Sequence, residues 1–150
     1  MDLTQQQLRL EMAAFHDNRL DPQLSESEHR DAFARMKKLI IKAKKGCLEF
    51  SGASPDAKVM ERAEFVIELR PMPERKLRFG QPHLPARLVR LYCAEPRIVE
   101  DTILGLHLGT KPNAEDILRE QNVSIDTAVQ RAHDWEMLQY TPETSQGNGG

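Results

Sequence analysis

Glu68, Arg70, Arg90, Tyr92 and His107 are the residues of this chain whose types and spacing suit work on a phosphodiester. Arginine offers a planar, permanently charged fork that matches phosphate oxygens, and histidine or tyrosine can exchange a proton. RNA carries its own nucleophile, the 2′-hydroxyl. A protein acting on it need only hold the backbone in line, stabilise the extra negative charge and move protons. That chemistry requires no metal and no cofactor. The same residue types also make an ordinary solvated sheet face, with Tyr92 covering the sheet and His107 as a plain surface residue. Cys47 and Cys93 stand apart, with no CxxC and no Cys/His cluster around them, so neither a zinc site nor a redox motif is indicated. The expectation is two buried free thiols. No nucleotide-binding glycine fingerprint and no internal repeat is present.

These side chains need a scaffold, and the composition supplies one. With 150 residues, 39% apolar and 29% charged, the chain reads as one globular domain over residues 1–140. Residues 1–24 are a candidate helical addition to it, and TPETSQGNGG at 141–150 has nothing to bury and reads as a disordered tail. No run approaches the eighteen or so apolar residues of a membrane-spanning helix. The first residues lack a basic segment followed by an apolar stretch, from which a cytoplasmic protein is expected. The net charge of −2 argues against a whole-protein field that attracts nucleic acid. The distribution is uneven, however. Arg70, Arg75, Lys76, Arg78, Arg87, Arg90 and Arg97 face only Glu74 and Glu95 in the central stretch, and Asp and Glu dominate from Pro112 onward.

Apolar periodicity assigns the elements. Thr4 with Gln7 as a capping box, then Leu8, Met12 and Phe15, predict a helix over 4–19 that Asp21-Pro22 ends. Ser25 with Glu28 is a stronger capping box, and Ala32, Phe33, Met36, Leu39, Ile40 and Ala43 form the stripe of a helix over 26–45, closed by Gly46. The pattern then shifts to period two. Short strands are expected at 47–50, 63–70, 76–79, 86–94 and 102–109, with SGASPDAK and the 71–85 stretch as loops. Asn113 is placed to cap a last helix whose stripe runs Ile117, Leu118, Ile125, Ala128, Val129, Ala132 and Trp135, with an interruption near 122–124. The fold class is therefore α+β: N-terminal helices packed on a small antiparallel sheet of three to four strands, followed by a C-terminal helix.

Alternation sets the faces. Phe65, Ile67 and Leu69, then Val89, Leu91 and Cys93, then Leu104, Leu106 and Leu108 are expected to face the core. Glu68, Arg70, Arg90, Tyr92 and His107 then share the opposite face, which is expected to be open. Cleavage from that face requires the Arg90 guanidinium and the His107 imidazole to point the same way and to lie clear of the chain's own helices.

The segments AEFVIELRP, ARLVRLYCAEP and TILGLHLGTKPNAEDILREQNVSIDTAVQRAHDW, in that order, resemble the RelE, HigB and ParE superfamily of toxins. The likeness rests on Glu68-Leu69-Arg70, on Arg87 through Tyr92, on Leu104 through Lys111, and on Ile125, Ala128, Arg131 and Ala132. It spans roughly residues 26–138. The chain departs from the family pattern by opening with a helix where relatives open with a strand, and by carrying Pro112 where a second lysine is usual. The resemblance implies a toxin of a type II toxin–antitoxin pair, an endoribonuclease cutting mRNA, with the ribosome and a protein antitoxin as partners. It implies Arg70 and Arg90 as phosphate holders, Tyr92 or His107 as proton exchangers, and Lys111, Arg87, Arg78 and Lys76 as RNA contacts. A ParE-like inhibitor of gyrase and a noncatalytic interaction module of phage or mobile-element origin are the alternatives.

Overall fold

The computed structural model describes residues 3–17, 23–71, 76–78, 81–83, 87–99, 102–112 and 117–140. Two helices come first, α1 (Leu3–His16) and α2 (Glu26–Lys44). Ser25 starts α2 as its Ser-x-x-Glu spacing predicts, its Oγ accepting the Glu28 N–H at 3.2 Å. Gly46, at φ 68°, reverses the chain after the last turn, and the Cys47 N–H closes back on Lys42 O at 2.9 Å. α1 already contains Thr4, which therefore does not cap it. The expected stop at Asp21-Pro22, the Asn113 cap and the 141–150 tail lie outside the described residues.

Among the described residues, six strands and a long helix follow: β1 (Ala57–Met60), β2 (Ala63–Leu69), β3 (Lys76–Arg78), β4 (Gln81–His83), β5 (Arg87–Ala94), β6 (Leu104–Pro112) and α3 (Ile117–Tyr140). The main sheet is antiparallel in the order β1-β2-β5-β6, and β3 and β4 pair as a separate ribbon. Helices, a four-stranded antiparallel sheet and a closing helix give the α+β layout the sequence predicts. Two local expectations fail. Residues 47–50 form no strand, whereas the supposed loop SGASPDAK leads into β1, which is too short to show alternation. Asp56 makes that edge: Lys42 Nζ donates to its carboxylate at 2.9 Å and the Arg70 N–H to its carbonyl at 2.8 Å. α3 also runs unbroken through residues 122–124.

Both faces of the sheet are covered. On one face α1 and α2 enclose Phe15, Leu24, Met36, Leu39, Ala57, Leu69, Val89, Leu91, Cys93 and Leu108. On the other, α3 buries Ile125 and Ala128 against Met60, Val66, Tyr92, Ala94, Leu104 and Leu106. The face expected to be open is thus helix-covered, and the cause is an irregularity that the alternation hides. β5 and β6 pair Tyr92 with His107 but Cys93 with Gly105, so Leu106 is an extra residue on β6. Leu104 and Leu106 therefore point to α3 while Leu108 points to the other core. A Cβ on Gly105 would meet Leu8 of α1 at 2.5 Å, whereas one on Gly109 would meet His107 and Ser124. A second slip, between Val59 and Met60 opposite β2, leaves Phe65 half exposed beside the His133 ring rather than in the core.

The thiols differ from expectation as well. Cys93 is buried, but Cys47 is exposed, because it follows the Gly46 reversal and leaves the packed layer. Burial pushes the Cys93 thiol up to about 12 from an ordinary value of 9.0. The folded thiol then keeps its proton across a window in which the unfolded chain gives it up, so stability falls as pH climbs from about 9 to about 12. The loss reaches up to ~4 kcal/mol, at about 1.36 kcal/mol per unit. Denaturant melts of the native chain and of Cys93→Ala between these pH values check it. The native chain is expected to show the steeper decline, and equal slopes contradict it.

Candidate active site

β2, β5 and β6 bring Glu68, Tyr92 and His107 into one cross-strand row: Glu68 pairs with Tyr92, and Tyr92 with His107. The Tyr92 and His107 rings stack at 6.0 Å. Arg90 and Lys111 occupy the next positions of the same parity, opposite Gly109 and Leu88. All of these strands carry a polar residue where α3 packs, so the polar groups meet beneath the helix.

Glu68 is the hub. Its Oε2 accepts from Tyr92 Oη at 3.2 Å and from Gln121 Nε2 of α3 at 2.7 Å, with Lys111 Nζ 3.5 Å away. Its Oε1 lies 3.4 Å from Arg70 Nε and 3.5 Å from Arg90 Nε. The side chains of Glu68 and Arg90 are 1% exposed, that of Lys111 8% and that of Arg70 26%. Three cations therefore share one carboxylate. Glu68 Oε1, Arg70 Nε and Arg90 Nε form no hydrogen bond, although all three are buried. Each such group costs about 1–3 kcal/mol when left unsatisfied.

The charge imbalance has titration consequences. Burial, opposed by Glu68 and reinforced by Arg70, holds the Arg90 guanidinium below its ordinary value. Burial likewise lowers Lys111, again opposed by Glu68 and reinforced by the charges of Arg90 and Arg70. Burial, with the charge and hydrogen bond of Glu68, raises the Tyr92 phenol. Positive charge is in local excess and the tyrosine is held neutral. An oxyanion entering between Arg70, Arg90 and Lys111 would relieve the excess and meet the unpaired Nε–H groups.

A second cluster adjoins the first. Glu11 of α1 reaches the sheet, its Oε1 lying 3.1 Å from His107 Nδ1 and its Oε2 accepting the Leu108 N–H at 2.9 Å. Arg131 Nη1 of α3 donates to Glu11 Oε1 at 2.9 Å and to Leu106 O at 2.8 Å. Burial acts to raise the Glu11 carboxyl, but the His107 and Leu108 hydrogen bonds, the His107 charge and Arg131 outweigh it and hold the group below its ordinary value.

Arg70, Arg90, Tyr92, His107 and Lys111 are thus gathered on one side of the sheet. Arg90 and Tyr92 do not project to solvent, since α3 and its Gln121 close over them. The expectation of an open face, with Arg90 clear of the chain's own helices, is corrected accordingly. The side chains of Arg87, Arg78 and Lys76 lie outside the described part of the structure. Glu11, Gln121, Ser124 and Arg131 were not singled out by chemistry. Their signal is positional. Glu11 falls within the Leu8–Met12–Phe15 stripe, and Gln121, Ser124 and Arg131 within the Ile125–Ala128–Trp135 stripe, where a polar residue must find a buried partner.

Comparison with protein-family models, with curated proteins and with solved structures finds no match. Among the described residues, no helix is long and apolar enough to cross a membrane, and no group of three or more His, Cys, Asp or Glu side chains forms a metal-binding cluster.

Proposed function

We propose that this chain is an RNA-cleaving toxin of the RelE/HigB kind, partnered by a protein antitoxin and acting on mRNA, with the ribosome as a further partner. The observation that carries this reading is the set of three cations around one buried carboxylate, with unpaired Nε–H groups on both arginines. Such a centre suits the charge that develops on a phosphodiester during transfer. In the proposed reaction His107 Nε2 takes the proton of the 2′-hydroxyl and the 2′-oxygen attacks phosphorus. The P–O5′ bond breaks, and the 5′-oxygen takes a proton from the Lys111 ammonium. The products are a 2′,3′-cyclic phosphate and a 5′-hydroxyl end. Lys111 suits the acid role because its surroundings weaken its hold on the proton. Tyr92, held neutral by burial and by Glu68, supports the His107 ring instead. Arg70 and Arg90 stabilise the phosphorane charge, and for the buried Arg90 and Lys111 to reach substrate α3 must part from the sheet.

That requirement favours a second reading, in which the covered centre is structural and the chain is a noncatalytic binder or a ParE-like gyrase inhibitor. Inducible expression in bacteria separates the two. The first reading expects growth arrest and RNA fragments ending in cyclic phosphate, lost by about 10²–10⁴-fold in His107→Ala. Intact RNA, or cleavage unchanged in His107→Ala, overturns it. Arg90→Ala is a poor probe, because it strips a partner from a buried carboxylate and threatens the fold.

A further inference from the structure

We infer that Glu11 is a positioning residue for His107, fixing the neutral imidazole with its proton on Nδ1 and its lone pair on Nε2. The assignment follows from counting hydrogens. Arg131 Nη1 carries two, and both are engaged, one by Glu11 Oε1 at 2.9 Å and one by Leu106 O at 2.8 Å. The contact from that nitrogen to His107 Nδ1 is longer, at 3.4 Å. Among the described residues the donor side of Nδ1 is left with that longer, shared contact, whereas at 3.1 Å it faces an ionised carboxylate oxygen that can only accept. The donor in that pair is Nδ1–H. Glu11 is itself held in place by the Leu108 N–H and Arg131, and the hydrogen bonds it accepts from His107, Leu108 and Arg131 hold its carboxyl below the ordinary value.

The other end of the ring lies over Gly109. A Cβ built on Gly109 would lie 2.9 Å from His107 Nε2 and 3.3 Å from Ser124 Oγ. With no side chain at 109, that position leaves the Nε2 edge of the ring unblocked, on the side of the sheet that carries the three cations. A ribose 2′-hydroxyl is the group that the Nε2 lone pair would deprotonate, a role that rests on the RNA-cleaving reading. The tautomer itself does not rest on it. A helix outside the resemblance to the toxin family, α1, thus supplies the carboxylate that aims the base.

Glu11→Gln tests this directly. Its amide oxygen can still accept, but its amide NH₂ can donate to Nδ1, so the ring is expected to switch to the Nε2–H form. Nitrogen-15 NMR of the histidine ring in the full chain, above the pH at which the ring is neutral, reads the tautomer. The native protein is expected to show Nδ1–H, Glu11→Gln to show Nε2–H, and Gly109→Ala to keep Nδ1–H. In the RNA-cleavage assay, Glu11→Gln is expected to lower kcat by ~10²-fold with KM changed less than about twofold. Gly109→Ala is expected to lose cleavage despite the correct tautomer, because its methyl covers Nε2. An Nε2–H ring in the native protein, or a tautomer indifferent to Glu11→Gln in a folded variant, overturns the inference. A native chain that leaves RNA intact overturns the nuclease reading and leaves the tautomer result standing.

Discussion

Glu68→Gln is expected to cost the folded state about 3–5 kcal/mol, the range observed when one partner of a buried ion pair is removed. The substitution keeps the volume and one acceptor but takes away the one carboxylate that, among the described residues, faces Arg70, Arg90 and Lys111 together. Three mutually repelling cations then remain, two of them almost wholly sealed beneath α3. Chemical denaturation at neutral pH measures the loss. A Glu68→Gln/Arg90→Met pair should recover part of it, since an apolar chain of similar reach replaces an orphaned guanidinium. Loss of less than about 1 kcal/mol in the single variant would mean that the carboxylate is already balanced by other means. Excess phosphate ion is a further lever. If the centre binds an oxyanion, phosphate should raise the stability of the native chain in a concentration-dependent way.

Phe15→Ala is expected to be as damaging, at about 3–5 kcal/mol, because it empties a fully buried ring from the core between the helices and the sheet. Phe15 packs its ring against His29 edge-on at 5.3 Å and lies 6.0 Å from Phe33. Its carbonyl is also bound by the His29 side chain. A loss this large would establish α1 as part of the folding unit. A cost under about 1 kcal/mol would instead describe a helix that rests on the domain without holding it. The distinction bears on the chemistry too, since Glu11 is one turn away on the same helix.

The helices were legible from sequence because their signals are local. Ser25 and Glu28 cap α2, Gly46 ends it, and the stripes of α2 and α3 repeat over several turns. Grouping Glu68, Arg70, Arg90, Tyr92 and His107 on one side also followed from alternation within β2 and β5 and from the position of His107. What alternation could not reveal was the extra residue at Leu106. A strand written Leu-Gly-Leu-His-Leu looks strictly periodic, yet its leucines serve two different cores. That hidden slip supplied α3 with an apolar seat, and with it a roof over a face that seemed open. Glu11 and Gln121 escaped notice, and Arg131 was read only as part of a motif, for a related reason. Each sits on an apolar helical stripe, and the partner that makes its burial tolerable is far away in sequence.

The register shift between Tyr92 and Cys93 makes the seat of α3 a matter of residue count rather than residue type. Deleting Leu106 would restore an even frame along β6 with His107 still opposite Tyr92 and Gly105 opposite Cys93, so the imidazole would keep its place while α3 lost one of the leucines beneath it. Among descendants of this chain, one codon lost at that point is enough to loosen the roof over the polar row while every strand keeps its partners.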